Sequence, residues 1–175
     1  IVPPLKLPQF YWLWAPANFD DVSSHLYFVD DEEGRATHSH CVEQKDNQSS
    51  ILSSLKKEIH YYEGTRRISK AKFSAMKRDK TEVVWSLKPK YHIYMCGLGY
   101  MHPEWGHGMY HGEQKSFYDS YDLSEDPHDP PFLHIQAICH FEMKENDTTT
   151  KGLGVLEQLL IGPHIPSGFE SLLDR

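Results

Sequence analysis

Residues able to do chemistry are concentrated in one stretch of the chain, Gly97 to Glu113. The stretch holds five glycines, three histidines, two glutamates, two tyrosines and one tryptophan. Glycines let a backbone approach a ligand closely, and titratable and aromatic side chains are what a binding cleft uses. We therefore predict a site here, with these members: Glu104 and His107 as catalytic residues, and Tyr100, His102, Trp105 and His111 as ligand-binding residues.

Three interpretations of this stretch are open. In the first, His107 or Glu104 is a general acid or base in an apolar pocket, where desolvation would raise a carboxyl pKa. In the second, His102, His107 and His111 bind a metal, although their spacing matches no metal motif. In the third, glycine-bent strands carry histidines that only hydrogen-bond to loops. The sequence favours neither a metal nor an organic cofactor.

Two further positions carry chemical potential. His38 and His40 share a strand face and precede Glu43, an order similar to the cupin metal motif but one residue short. Two solvated histidines on a surface strand are the simpler interpretation. Glu157 lies inside the apolar run Val155–Ile161, where a carboxylate must pair, face a cavity or shift its pKa. We predict it as a third catalytic candidate.

The elements that position these residues are predicted to be antiparallel strands. Alternation is cleanest from Phe132 to Met143, and Gly34 supplies the positive φ of a hairpin turn. A first strand is expected to end at Pro16, and a polar loop is expected from Lys45 to Ser54. A turn is predicted at Lys88–Lys90. Seven to nine such candidates with almost no helical period predict an all-β domain over residues 1–175, barrel or sandwich.

Composition excludes several functional classes. The net charge of −7 without a basic stripe argues against nucleic-acid binding, and no apolar run reaches the ~20 residues of a transmembrane helix. Cys41, Cys96 and Cys139 form no CxxC pair and are predicted to be buried thiols in a reducing compartment, the cytoplasm. The chain opens with Ile1 and has no signal peptide, so we expect it to begin inside a longer protein.

Three segments resemble the AttH-like and carotenoid hydratase (hydroxyneurosporene synthase) group. They are Tyr11–Pro16 (YWLWAP), Gly97–Glu113 (GLGYMHPEWGHGMYHGE) and Gly152–Pro163 (GLGVLEQLLIGP). The resemblance implies a lipocalin-like, calycin-type barrel, the C-terminal one of two tandem domains, so that an upstream N-terminal domain is expected as a partner. It also implies action on apolar, polyene-like molecules without an organic cofactor. We expect such a molecule to bind inside the barrel, with Gly97–Glu113 facing that interior.

For such a hydratase or cyclase, an acid must protonate an alkene carbon, and aromatic faces must stabilise the cation. We expect the acid to be Glu104, His107 or Glu157, and the aromatic faces to be those of Trp14, Tyr100 and Trp105. The alternative is a non-catalytic domain that only binds a hydrophobic ligand or stabilises a larger protein.

Overall fold

Eight antiparallel strands close into a single barrel in which each strand pairs with the next and the last pairs with the first. The computed structural model describes residues 9–95, 104, 108–116, 118 and 133–173. The strands are β1 Phe10–Asn18, β2 Val22–Asp30, β3 Ala36–Lys45, β4 Gln48–Tyr61, β5 Ile68–Met76, β6 Glu82–Tyr94, β7 His134–Glu145 and β8 Thr148–Ile161. The all-β prediction is therefore confirmed, and the architecture is the barrel.

Alternate residues of each strand point into the barrel, as a period of two requires. Large apolar side chains fill its centre, among them Leu13, Leu26, Phe28, Phe73, Trp85, Phe141 and Leu156, each at most 2% exposed. The intervening residues form the outer wall. Cys41 and Cys139 are buried, unpaired thiols, and burial raises the pKa of each to about 12, while Cys96 lies outside the described residues.

The C-terminal segment closes one end of the barrel. After β8 the chain forms a short 3-10 helix, Ile165–Ser167, and the Ile165 amide donates to the Glu32 carbonyl in the β2–β3 turn. The buried Arg66 guanidinium donates to the carbonyls of Gly162 and Ser171. Gly34 has a φ of 79°, which confirms the predicted turn glycine. The opposite end carries four tight turns and has no such cover among the described residues.

Three local predictions were wrong. The expected loop from Lys45 to Ser54 is mostly strand β4, and its polar residues lie where both strand faces are wet. The expected turn at Lys88–Lys90 is a bulge inside β6, between Pro89 and Tyr91, which accommodates the missing proline N–H. β1 continues past Pro16 to Asn18. The missing N–H of Pro16 is accommodated because the pairing of β1 with β8 is interrupted locally between Trp14 and Ala17.

The described part of the chain contains no helix with the length and apolar character needed to cross a bilayer.

Candidate functional site

Two of the predicted site residues, Trp14 and Glu157, are direct cross-strand partners on β1 and β8. Their sequence neighbours Leu13 and Leu156 point into the barrel core. Trp14 and Glu157 therefore project from the outer wall, not into the interior. Directly opposite residues of an antiparallel pair have Cβ atoms about 5 Å apart, so the two side chains start side by side. The indole Nε1 then contacts His25 on β2, and the carboxylate extends towards His134 on β7.

Glu157 is almost completely buried although it belongs to the outer wall. Its exposure is 5%, and that of His134 on β7 is 7%. One carboxylate oxygen lies 2.6 Å from His134 Nε2, and the other accepts a 2.9 Å hydrogen bond from the Gln136 amide. Both oxygens of Glu157 are therefore engaged. The requirement that this carboxylate must pair is met by a buried carboxylate–imidazole pair.

Aromatic and imidazole rings continue from this pair across β1, β2 and β3. We call this surface the outer aromatic wall, and its members are Trp12, Trp14, His25, Tyr27, His38, His40, His134, Gln136 and Glu157. The Trp12 ring lies 6.0 Å from that of His134, and Tyr27 stacks on His40 at 5.1 Å. His25 also stacks on His40, at 5.0 Å. The wall is thus a nearly continuous π surface.

The three histidines of β2 and β3 form a chain of hydrogen bonds. Trp14 Nε1 contacts His25 Nε2, and because an indole N–H can only donate, His25 Nε2 accepts. In the neutral form, His25 Nδ1 then donates to His40 Nε2 at 3.1 Å, and His40 Nδ1 donates to His38 Nε2 at 3.3 Å. The indole therefore selects the same tautomer in all three rings.

Burial and mutual proximity favour the neutral forms of His25 and His40. Burial lowers the pKa of His25, and the neighbouring His40 lowers it further. Burial also lowers the pKa of His40, with a smaller contribution from His38. Each effect penalises the imidazolium form.

The cupin-like set of His38, His40 and Glu43 does not converge. His40 projects from the outer wall, whereas Glu43 is an odd number of residues away and projects into the barrel beside Cys41. Within the described ranges, no group of three or more His, Cys, Asp or Glu side chains is arranged to hold a metal ion.

The stretch Gly97 to Glu113 is described only in part. Glu104 is exposed and His111 is half-buried, while Tyr110 is 80% exposed. Tyr100, His102, Trp105 and His107 lie outside the described residues. The site roles predicted for this stretch therefore stay predictions.

A shallow groove adjoins the outer aromatic wall. Its volume is about 360 Å³, and Pro16, His25, Val42 and Gln44 contribute to its lining. That volume is at the lower end of the range for small-molecule sites. Of the outer aromatic wall, His25 contributes to this lining, so a molecule seated in the groove would lie beside that ring at the edge of the wall.

Sequence reasoning missed His134, Gln136 and His25 as members of this site. One signal was present for the first two. A two-residue turn at Asn146-Asp147, with Asn146 at a φ of 52°, sets the β7–β8 register, in which Gln136 is opposite Glu157. A turn predicted from the sequence over Asn146–Lys151 is longer than the two residues observed, and this length obscures the pairing. For His25, no local pattern indicates which strand lies beside β1.

A family model described as a family of unknown function (DUF8625) matches residues 2–170. No curated protein matches the chain. Among solved structures, the chain is similar to the crystal structure of kievitone hydratase from Nectria haematococca, with a TM-score of 0.49 and 11% identity. The match covers 86% of this chain and 39% of that one, so the chain spans about two fifths of that protein's length.

Proposed function

Since the chain belongs to this family of unknown function (DUF8625), we propose from its own geometry that it binds an unsaturated, largely apolar small molecule on the outer aromatic wall. We further propose that it transfers a proton to that molecule without a cofactor, as a hydratase or isomerase. The observation that carries the proposal is the buried Glu157–His134 pair, 2.6 Å apart, with Trp14 opposite Glu157 in the sheet.

The chemistry follows from the roles of the three groups. Glu157 accepts the Nε2 hydrogen of His134 and thereby orients the imidazole, as a carboxylate does in acid–base pairs. The pair delivers a proton to an alkene carbon, and the Trp14 ring face stabilises the resulting cation. Addition of water and loss of its proton back to the pair completes a hydration. Loss of a different carbon-bound proton completes an isomerisation.

Glu104 and His107 are retained as proposed alternative acids, and Tyr100, His102, Trp105 and His111 as proposed ligand contacts. The resemblance of Tyr11–Pro16 and Gly152–Pro163 to the carotenoid hydratase group also supports an apolar, polyene-like substrate. A cytoplasmic location stays a prediction, which the buried thiols Cys41 and Cys139 are compatible with.

The proposal is tested with polyenes and terpenoids supplied to the purified chain in deuterated water. Mass spectrometry should find a product that has gained one water, or a substrate that has gained carbon-bound deuterium. Because acid–base catalysis contributes about 10²–10⁴-fold, Glu157→Gln and His134→Gln should each lower turnover by about a hundredfold or more.

The matched control is His140→Gln, because His140 is an exposed outer-wall histidine of the same strand. Turnover should be unchanged in this variant. Full turnover in Glu157→Gln and His134→Gln would remove the pair from the mechanism, and Glu104→Gln and His107→Gln would then test the alternative acids.

A second candidate is a non-catalytic domain that packs against a neighbouring domain of a longer protein. Exposed apolar side chains on β6, β7 and β8 favour it: Tyr91 is 59% exposed, Ile138 42% and Leu153 57%. Tyr91 is directly opposite Ile138, so this exposed apolar patch extends from β6 onto β7, a strand that also carries His134 and Gln136 of the outer aromatic wall. The absence of saturable polyene binding, of product and of carbon-bound deuterium would favour this candidate.

A further inference from the structure

The open end of the barrel, away from the C-terminal segment, contains a cleft of about 950 Å³. Its rim is formed by the four tight turns between consecutive strands. Ionisable side chains dominate the lining: five carboxylates (Asp21, Glu43, Asp46, Asp79 and Glu145) and three cations (Lys45, Lys77 and Arg78). None of them belongs to the outer aromatic wall.

Glu43 lines this cleft two residues inward from the end of β3 and is only 6% exposed. Its Oε2 lies 3.3 Å from Lys77 Nζ, which lies closer, at 2.6 Å, to Glu145. Its Oε1 is buried and has no hydrogen-bond partner within the described part of the chain. An unsatisfied buried carboxylate oxygen is costly, so a hydrogen-bond donor entering the cleft would be stabilised there.

The charge of the cleft selects the kind of donor. Lys77 is shared between two carboxylates, and Lys45 is paired with Asp21. Asp46 and Asp79 form no ion pair among the residues described. The lining is therefore negative in excess, which favours a cation over an anion or a neutral molecule.

The apolar part of the lining selects the shape of the ligand. Leu52 and Met143 line the cleft and are 4% and 7% exposed. They offer an apolar surface for methylene groups in the same cleft as the carboxylates, as aliphatic stems of long cations require.

We propose that the open end of the barrel binds a linear aliphatic diamine or polyamine. One ammonium group donates to Glu43 Oε1 inside the barrel, and another is held by the carboxylates of the rim. This site is separate from the outer aromatic wall, so it goes beyond the proposed function and can fail or succeed independently of it.

The titration of Glu43 is consistent with this role. Burial raises the pKa of Glu43, and the charge of Lys77 only partly offsets that effect. An ammonium group favours the ionised carboxylate, so amine binding should strengthen as the pH rises through the raised pKa.

The test is isothermal titration calorimetry of the full chain with cadaverine and with spermidine at low ionic strength. The diol of the same length as cadaverine is the uncharged comparison. Saturable binding of both amines, at least about tenfold tighter than that of the diol, is expected for charge-assisted hydrogen bonds. Absence of saturable amine binding, or equal binding of the diol, would overturn the proposal.

Two variants locate the site. Glu43→Gln should weaken spermidine binding about tenfold or more, whereas Glu142→Gln, an equal charge change on the exposed outer wall of β7, should leave it unchanged. Equal effects of both variants would indicate non-specific attraction and overturn the proposal. If Glu43→Gln does not fold, Asp46→Asn at the rim serves instead, with a severalfold loss expected and no loss contradicting the site.

Discussion

At the scale of single residues, the outer aromatic wall depends on which ring nitrogens carry hydrogen. Trp14 Nε1 fixes His25 as an acceptor at Nε2, and the tautomer is passed to His40 and His38 through two further hydrogen bonds. A proton added to His25 Nε2 would face the indole N–H, and one added to His40 Nε2 would face the donor of His25. The hydrogen-bond chain is therefore compatible only with neutral imidazoles.

The first prediction is that the hydrogen-bonded histidines make the free energy of unfolding fall as the solution becomes mildly acidic. The folded-state pKa of His25 is below its ordinary value of about 6.5, so the unfolded chain binds more protons just below that pH. The contribution of neutral His25 to the free energy of unfolding is complete above about pH 7. It is lost as the pH falls towards the lowered pKa of His25. Urea unfolding from pH 7.5 to pH 5 measures it.

The variant His25→Gln should show a shallower decline than the parent, since it removes one depressed imidazole. His140→Gln, an exposed position on β7, should decline in parallel with the parent. If His25→Gln also ran parallel to the parent, the neutral chain would not be a determinant of stability.

At the scale of elements, the β8 glycines determine how closely that strand approaches β1. A Cβ built on Gly154 would lie 2.3 Å from the Pro16 carbonyl oxygen and 2.7 Å from the Phe141 ring. A Cβ on Gly152 would lie 2.5 Å from the Asn18 carbonyl oxygen. The strand pair that brings Trp14 to Glu157 thus approaches too closely here for any side chain.

The second prediction concerns that close approach. Gly154→Ala should lower the free energy of unfolding by about 1–3 kcal/mol, the usual cost of overpacking, because backbone atoms cannot move aside as a flexible side chain would. Leu153→Ala is the neighbouring control, since Leu153 is 57% exposed and should change stability by about 0.5 kcal/mol or less. Equal costs at the two positions would contradict the close approach. Chemical denaturation measures both.

Much of the element pattern could be predicted from the sequence, but its assembly could not. The Phe132–Met143 alternation predicts the faces of β7 correctly, because one face is apolar and the other is polar. The same method failed for β4, because Gln48 to Ser50 extend beyond the core and both faces of the strand are exposed to solvent there. The pairing of Glu157 with His134 depends on strand register, which alternation within one strand does not contain.

At the scale of the whole molecule, a buried carboxylate lies towards each end of the barrel, and each has one oxygen without a hydrogen-bond partner among the described residues. At the open end, Glu43 keeps one carboxylate oxygen without a described partner. At the closed end, Asp30 Oδ2 accepts hydrogen bonds from Lys57 and from His164 in the C-terminal segment, whereas Oδ1 is buried without a described partner. Burial would raise the pKa of Asp30, but these two partners outweigh it and hold the pKa below its usual value.

The closed end is also a continuous network. His164 Nδ1 lies 2.7 Å from the Ser167 hydroxyl, which contacts the Tyr61 hydroxyl at 2.8 Å. Tyr61 in turn contacts Tyr11, and Tyr11 stacks on His164 at 3.8 Å. The side chains of Asp30, His164 and Ser167 are hydrogen-bonded one after another. The nearby amides of Gly168 and Phe169 already donate to carbonyls, so these two amides offer no oxyanion hole. The network joins the C-terminal segment to β1, β2 and β4.

The third prediction follows from this closure. Asp30→Asn should lower the free energy of unfolding by about 2–4 kcal/mol, somewhat below the loss expected for a fully buried pair, because Lys57 keeps 18% exposure. The adjacent Asp31→Asn breaks an exposed pair with Arg35 and should cost about 1 kcal/mol or less.

Hydrogen exchange should locate the difference between the two variants. In Asp30→Asn the amides of Gly162, His164 and Phe169, which bond within the C-terminal segment, should exchange faster. Unchanged protection there would mean that Asp30 stabilises the barrel wall and not its closed end.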